Sequence, residues 1–532
     1  MKKFFNTAGP IKPENHYHIP PLERWDLDEI TVLIEQEKYF VLHAPRQTGK
    51  TSCLLALMEH LNKEGKFKAL YVNVEVAQTA RDDVSRGVQA ILGTLANQER
   101  AYLKENILDK NWYETFQRNS PDQALNSMLT LWVENSSKPT VLLIDEVDAL
   151  VGDTLISVLR QIRTGYTSRP LHFPQSIILC GVRDVRDYRI HSSKHKEIIT
   201  GGSAFNIKAE SMCLGNFTSE EVKSLYLQHT TGTGQKFDEE VFHFIYELTN
   251  GQPWLVNALA YEACFKIKEN RDRTKTITKE IMEEAKENII LRRDTHIDQL
   301  IDKLSDERVR KIIEPLLENE DEIGNAPTDD LQYVIDLGLI RKDEKKIIIS
   351  NGIYREIIPR ELTYTTQLTI HHETPWYIDK ITNKLQMKKL LAAFQDFYRE
   401  HSEHWLKGMQ YKESGPQLLL QAFLQRIVNG GGRVEREYGL GRKRTDLYIR
   451  WFYDETDKSK SQKIVIECKV IRKSKEATIE EGLIQTIEYK DKCGAEEAYL
   501  ILFEKSQNKT WEEKVFQEDG IHNNYTIPIW GM

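Results

Sequence analysis

One short stretch constrains this chain more than any other: APRQTGKTS, residues 44–52, set between the β-rich run YFVLH and the amphipathic run SCLLALMEHLNKEG. Strand, glycine-bearing turn and helix in that order aim backbone N–H groups at one point, where they can cradle a phosphate. Gly49, Lys50 and Thr51 stand where the pattern G-x-x-x-x-G-K-[ST] requires them, and Ala44 takes the place of the first glycine. Alanine serves there if its φ stays negative. The backbone from Ala44 through Pro45, Arg46, Gln47 and Thr48 to Gly49, with Ser52 in the opening turn of the helix, is then the cradle. Lys50 bridges the β- and γ-phosphates of a nucleotide, and Thr51 holds its Mg²⁺. The competing reading is a strand–turn–helix with a chance GKT.

The runs YFVLHA (39–44), ALYVNV (69–74), TVLLID (140–145) and SIILCG (176–181) are continuous and apolar, as parallel strands covered on both faces should be. Helical segments alternate with them, which predicts a doubly wound α/β sheet. Residues 216–290 read as helical. Thr218 with Glu221 forms a capping box, and Asn250-Gly251 followed by Pro253 closes one helix and starts the next. The run DDLQYVIDLGLIRKDEKKIIIS suggests a helix, a turn at Gly338 and two short β runs around Asp343-Glu344, the order of a winged helix. From about residue 414 the order is helix, Gly-rich turn (Gly430–Gly432), three strands, helix and strand, a second α/β domain. The expected divisions are a phosphate-loop core at 1–215, a helical lid at 216–295, a winged helix at 296–365, a connector at 366–409 and the second α/β domain at 410–532.

Length agrees with several domains: 532 residues, at roughly 150 per domain, make three or four. Six cysteines without a CxxC pair argue against a disulfide framework or a structural zinc site, and suit reduced thiols in a cytoplasm. The longest apolar runs are too short to span a bilayer, and the N-terminus lacks the apolar core of a signal peptide. A net charge of −8 disfavours a surface basic all over, so contact with nucleic acid should be local. Residues 433–476 carry 13 Lys/Arg against 8 Asp/Glu, a local excess of five positive charges.

A nucleotide site built on such a loop needs an acidic strand end. TVLLIDEVDAL supplies Asp145 to face the Mg²⁺ of Thr51, and Glu146 to orient and deprotonate the attacking water. Asp148 reads as a helix cap or supporting group. SIILCGVRDVR ends in Arg183, which can sense a γ-phosphate or form an ordinary salt bridge. Pro253 can lie against an adenine or merely restart a helix.

These residues together resemble the STAND-type, AAA-like branch of the AAA+ P-loop NTPases over roughly residues 15–360. The matches are APRQTGKT, the hydrophobic strand ending in Asp145-Glu146, the Gly-Val-Arg strand end, the helical Gly-Gln-Pro segment and the winged helix. The stretch YHIPPLER (17–24) looks like that family's lead-in, which puts Tyr17 near the adenine. The resemblance implies an ATP switch. ADP keeps lid and winged helix closed; ATP permits opening and assembly into a homo-oligomer. Arg292 and Arg293 could then reach a neighbour's phosphate, or could simply be a charge pair at a helix end.

The C-terminal region holds a second constellation. Asp446 lies in the run GLGRKRTDLYIRWF, and Glu467 and Lys469 lie in KIVIECKVIRK after 20 intervening residues. Alternation puts Glu467 and Lys469 on one strand face with Cys468 on the other. Asp446 on an adjacent strand can meet them. Two carboxylates there suit Mg²⁺, with the backbone carbonyl of Cys468 as a further ligand and Lys469 positioning the water. This resembles the PD-(D/E)xK nuclease superfamily, of restriction-endonuclease-like α/β fold, over residues 410–505. Gln485 and Tyr489, four apart on the following helix, resemble its Q-x-x-x-Y motif. Thr445 replaces the usual proline. The helix QLLLQAFLQRIV lacks the expected acid, for which Glu413 is the candidate. The competing reading is a charged strand pair on a solvent face. Arg442, Lys443, Arg444, Arg472 and Lys473 suit a phosphodiester backbone or are plain solubilising charge.

The expectation is therefore an ATP-regulated, Mg²⁺-dependent nuclease acting on DNA, of a kind suited to phage defence or genome maintenance. Two rivals stand beside it: an ATP-switched DNA-binding protein that does not cut, and a signalling ATPase that engages a protein.

Overall fold

The computed structural model describes residues 3–184, 189–191, 198–200, 205–292, 302–317, 327–343, 346–362, 377–408, 415–428, 432–440, 443–454, 460–471, 474–504, 506, 509–523 and 525–532. Arg293, Glu344, Glu413, Gly430, Arg442, Arg472 and Lys473 lie outside these residues. The chain forms two compact units: residues 1–296 with 327–341, and residues 297–326 with 342–532.

The first unit is built on five strands: β1 (Tyr39–His43), β2 (Lys68–Asn73), β3 (Thr140–Asp145), β4 (Ser176–Gly181) and β5 (Lys208–Cys213). They lie in the order β2-β3-β4-β1-β5, and every pairing is parallel. Residues alternate between the two faces, and both faces are covered. Phe40, Leu42, Ala69, Tyr71, Val141, Leu143 and Ile178 pack with the helix Lys50–Glu64. Tyr39, Val41, Leu70, Val72, Leu142, Ile144, Ile177 and Leu179 pack on the other side with the helices Val84–Gln98, Pro121–Glu134 and Gly152–Gly165. Coverage on both faces explains why β1 to β4 read as unbroken apolar runs. β5 escaped the sequence reading because it is an edge strand. Its residues KAESMC are only partly buried, so no apolar run announces it.

Helices follow at Ser219–Thr233, Glu239–Thr249, Pro253–Tyr261 and Lys279–Arg292. Thr218 and Glu221 exchange both hydrogen bonds of a capping box, 2.7 and 3.2 Å. Asn250 and Gly251 both take positive φ, and a Cβ on Gly251 would fall 1.9 Å from the Phe217 carbonyl oxygen. Only glycine fits that approach.

Within residues 296–365 the structure contains helices Glu307–Leu317, Thr328–Asp336 and Gly352–Leu362 and short strands Ile340–Asp343 and Lys346–Ile349. Residues 327–341 of this stretch fall in the first compact unit, and 297–326 with the residues from 342 onward fall in the second.

The second unit holds six strands: β6 (Gly432–Leu440), β7 (Lys443–Phe452), β8 (Ser461–Val470), β9 (Glu497–Phe503), β10 (Phe516–His522) and β11 (Tyr525–Gly531). Their order is β6-β7-β8-β9-β11-β10. β6, β7 and β8 run antiparallel in turn, β8, β9 and β11 run parallel, and β10 returns antiparallel. One face packs on the helices Met387–Gly408 and Gly415–Val428 through Leu447, Ile449, Ile464, Ile466, Tyr499 and Ile501. The other packs on the helix Lys475–Cys493 through Tyr448, Val465, Ala498 and Leu500. The expected connector at 366–409 is corrected in its second half. Met387, Leu390, Leu391, Phe394 and Tyr398 are buried in the core of this unit. Their recurrence at helical spacing gives the helix an apolar stripe that has to be covered.

Candidate functional site

The phosphate loop is shaped by two left-handed residues, Gln47 at φ +59° and Gly49 at φ +95°, while Ala44 stays outside the positive-φ region. Thr48 closes the turn by donating from Oγ1 to the Pro45 carbonyl, 2.8 Å. The Lys50 ammonium is buried and donates to the carbonyls of Ala44 and Pro45, 2.9 and 3.0 Å. It thus sits in the space the loop encircles. Ser52 Oγ accepts from the Ile11 N–H, 3.0 Å. Arg46 acts electrostatically on Glu146.

Asp145 ends β3 fully buried, on the sheet face that meets the helix Lys50–Glu64. Its Oδ2 accepts from Thr51 Oγ1 at 2.7 Å and from the Tyr71 hydroxyl at 2.9 Å. Its Oδ1 accepts from the Glu146 N–H at 3.0 Å. A buried carboxylate is tolerable only with such donors around it. Glu146 takes φ +58°, which turns the chain sharply at the strand end. Burial and then the charges of Asp148 and Asp145 push its carboxyl above the ordinary range, against Lys50 and Arg46. A raised carboxyl is the property a general base needs. Asp148 accepts from the Val182 N–H, 2.9 Å, and so ties the end of β3 to the end of β4.

Arg183, just past β4, is engaged within the first unit. Its Nε lies 3.4 Å from Asp336 Oδ2, and its guanidinium sits 4.9 Å from the ring centroid of Tyr333. Asp336 is buried. Burial pushes its carboxyl up, while Gln332, Arg183 and His43 pull it down. Two residues on, a Cβ at Gly338 would lie 2.8 Å from the Pro45 side chain. The segment Pro327–Arg341 therefore packs directly on the phosphate loop, and a salt bridge, one of the two readings left open for Arg183, forms there.

Tyr17 is buried by Phe5 and His229, with ring centroids 4.9 and 5.5 Å away, and its hydroxyl meets His229 Nδ1 at 3.2 Å. Pro253 is buried at the first turn of its helix. Neither is brought against the phosphate loop by a hydrogen bond. The residue of the lead-in that reaches the loop is Arg24. It donates to the carbonyls of Thr48 and, at 2.7 Å, Gly215, and stacks on Phe217 at 4.8 Å. A Cβ on Gly49 would stand 2.6 Å from its Nη1. Arg292 pairs with Glu262 at 2.7 Å.

In the second unit, β7 and β8 pair antiparallel from Leu447↔Ile466 onward. Asp446 and Glu467 follow on the face that carries Tyr448 and Val465, beneath the helix Lys475–Cys493. Asp446 Oδ2 accepts from the Cys468 N–H at 2.7 Å, and Glu467 Oε2 accepts from the Asp446 N–H at 3.5 Å. Lys469 Nζ is 3.4 Å from Glu467 Oε1 and 3.8 Å from Glu481. Both carboxylates are almost wholly buried, 4% and 2% exposed. Burial and the neighbouring Asp446 hold Glu467 well above the ordinary carboxylate range, against Lys469. Burial lowers Lys469, but Glu467 and Asp446 outweigh it and the ammonium ends raised. The solvent-face reading does not describe this pair. Gln485 on the covering helix has a buried carbonyl oxygen with no hydrogen-bond partner among the described residues, and Tyr489 packs in the core beneath that helix. The Cys468 side chain turns to the opposite face. Among the described residues no group of three or more His, Cys, Asp or Glu side chains is placed to hold a metal ion. The expected ligand set here is two carboxylates and one carbonyl.

Sequence reasoning missed Tyr71, Arg24 and Asp336. Arg24 lies in a stretch already singled out, but its reach to Thr48 spans 24 residues and leaves no local signal. Tyr71 reads as one more apolar residue of a core strand, and Asp336 as an ordinary helix-end acid.

A family described as an AAA-like domain matches residues 22–359. No curated protein matches the chain. Among solved structures, the Walker-type ATPase PABY2304 of Pyrococcus abyssi is similar at 14% identity and TM-score 0.48, over 66% of this chain and 99% of that one. Cdc6p from Pyrobaculum aerophilum is similar at 15% identity and TM-score 0.36, over 65% and 95%. Thermotoga maritima RuvB, a Holliday junction branch migration motor, is similar at 11% identity and TM-score 0.33, over 64% and 98%. Among the described residues no helix is long and apolar enough to cross a membrane.

Proposed function

The chain belongs to the AAA-like domain family, and from that premise we propose that it is an ATP-driven switch controlling a metal-dependent nuclease that cuts DNA. The observation that carries the reading is the 2.7 Å hydrogen bond from Thr51 to Asp145. It joins the phosphate loop to the acidic strand end across 94 residues, as a Mg²⁺–ATP site requires. The fit is chemical. A hydroxyl oxygen that ligates Mg²⁺ keeps its hydrogen for Asp145, and Lys50 already occupies the space where phosphates would replace the Ala44 and Pro45 carbonyls. Glu146 accepts the proton of the attacking water. The contact of Pro327–Arg341 with the loop, through Gly338 and the Arg183–Asp336 pair, supports a closed state that a γ-phosphate would open by drawing Arg183 away. Assembly into a homo-oligomer follows opening.

For the C-terminal unit, Asp446 and Glu467 would hold Mg²⁺ with the Cys468 carbonyl. Two adjacent buried carboxyls, one of them raised by burial and then by the other, are a donor set that a hard cation would relieve. Bound there, the metal would acidify water and neutralise a leaving phosphate. Lys469 would hold the water beside Glu467, and Gln485, on the covering helix, would be an auxiliary polar group for it. A nuclease restrained until ATP-driven assembly suits defence against invading DNA or genome maintenance.

Plasmid and linear DNA incubated with the protein, with and without ATP and Mg²⁺, test this reading beside Lys50→Ala, Glu146→Gln and Lys469→Ala. Cleavage that needs Lys469 and responds to ATP through Lys50 is the expected result. DNA shifted in a gel but left whole would instead identify a non-cutting binder. No DNA affinity at low salt would turn attention to a protein partner.

A further inference from the structure

We propose that the Tyr71 hydroxyl is a positioning group for Asp145, holding the carboxylate in the orientation that receives Thr51 and its Mg²⁺. The inference rests on the reading of Asp145 given above and names a residue outside both the phosphate loop and the acidic strand.

Tyr71 lies on β2, two residues before Asn73, which pairs with Asp145 in the parallel ladder. A separation of two keeps Tyr71 and Asp145 on the same sheet face. The ring is packed in the core above the helix Lys50–Glu64 and meets Tyr102 edge-on at 6.3 Å. For packing alone, a phenylalanine would serve. The hydroxyl instead ends 2.9 Å from Asp145 Oδ2, the oxygen that also accepts from Thr51. With Oδ1 taken by the Glu146 N–H, these three donors come from three separate elements and orient the carboxylate, to which the buried Cys180 thiol adds a further side-chain hydrogen bond. Asp145 is fully buried, so no solvent water stands ready to replace a lost donor. Without Tyr71 the carboxylate can swing toward Thr51 and draw its hydroxyl off the metal position.

The test uses the full chain and a fluorescent, non-hydrolysable ATP analogue, with Mg²⁺ titrated from EDTA upward. Wild type, Tyr71→Phe, Tyr71→Leu and Asp145→Asn are compared, with melting temperatures recorded without nucleotide. Removing one charge-assisted hydrogen bond should raise the Mg²⁺ midpoint of Tyr71→Phe about tenfold. Its affinity for the analogue in EDTA should not change. Tyr71→Leu should give the same midpoint as Tyr71→Phe. A Tyr71→Phe midpoint equal to wild type overturns the proposal, even if the melting temperature falls, because the hydroxyl is then only structural. Phe and Leu midpoints that differ from each other as widely as from wild type overturn it too, since packing is then responsible. If Asp145→Asn keeps the wild-type Mg²⁺ response, the reading of Asp145 fails and this inference with it. If Asp145→Asn loses that response and Tyr71→Phe keeps it, the inference alone fails.

Discussion

Thr51 and Asp145 meet through a hydroxyl and a carboxylate, with Tyr71, the Glu146 N–H and the Cys180 thiol around the same carboxylate. Asp446 and Glu467 meet as two buried carboxylates with Lys469 beside them. At the phosphate loop the buried charge is surrounded by donors from several elements before any ligand arrives. In the C-terminal unit two carboxyls lie together out of water with Lys469 and backbone amides among their partners, and burial, then the neighbouring Asp446, raises the Glu467 carboxyl. The first arrangement is preorganised; the second keeps two carboxyls together out of water at a cost.

That contrast can be broken most readily at its catalytic end. Asp446→Ala and Lys469→Ala should each lower Mg²⁺-dependent DNA cleavage by roughly 10³-fold while ATP-analogue binding stays at the wild-type level. Gel-resolved cleavage rates and fluorescence titration read the two halves separately. Intact cleavage by Asp446→Ala would remove the second site altogether. Lys50→Ala should weaken analogue binding by about 100-fold, because the ammonium lies against the carbonyls of Ala44 and Pro45, within the loop. Unchanged affinity would show that the loop closes on something other than phosphates.

A smaller effect sharpens the energetic half. Glu467→Gln should end cleavage yet raise stability in EDTA by about 1–3 kcal/mol, since it removes a carboxyl whose ionised form burial and the neighbouring Asp446 disfavour. Thermal melts of both proteins measure this. A lower melting temperature would mean that Lys469 more than balances the pair. The corresponding removal at the first site, Asp145→Asn, should destabilise, because Thr51, Tyr71 and the Glu146 N–H would lose an ionised acceptor.

The smallest expected effect concerns Asp336. Burial raises its carboxyl in the folded state, so the native protein binds more protons than the unfolded chain between the unfolded value of about 3.9 and the raised one. Its contribution is therefore fullest below about pH 3.9 and falls as pH rises through the folded value. The stability of wild type relative to Asp336→Asn should decline across that window, by about 1.4 kcal/mol for each unit of displacement. Urea melts from pH 4 to 7 follow it. A difference that grows with pH would mean that Arg183 and His43 outweigh burial.

The phosphate loop was legible in the sequence because its residues are neighbours; nine consecutive positions carry strand end, turn and helix start. β1 to β4 were legible because a strand covered on both faces has no polar positions to interrupt it. Glu467 and Lys469 were legible because alternation along a strand is a local property. The edge strand β5 and the core role of Met387–Gly408 were not, since each depends on which side of a sheet is left open or covered.

The amino-acid order alone thus determined where phosphate could be gripped, which strands would be central and which acids and lysine could share a strand face, because period and adjacency are written within a few residues. Only the tertiary structure decided that Tyr71 and Thr51 share one oxygen of Asp145, that Arg24 braces Thr48, that Asp336 holds Arg183, and that Asp446 and Glu467 are buried together. Those contacts join residues 21 to 153 positions apart, and what brings them together is the burial of the faces between them, which no single stretch of sequence encodes.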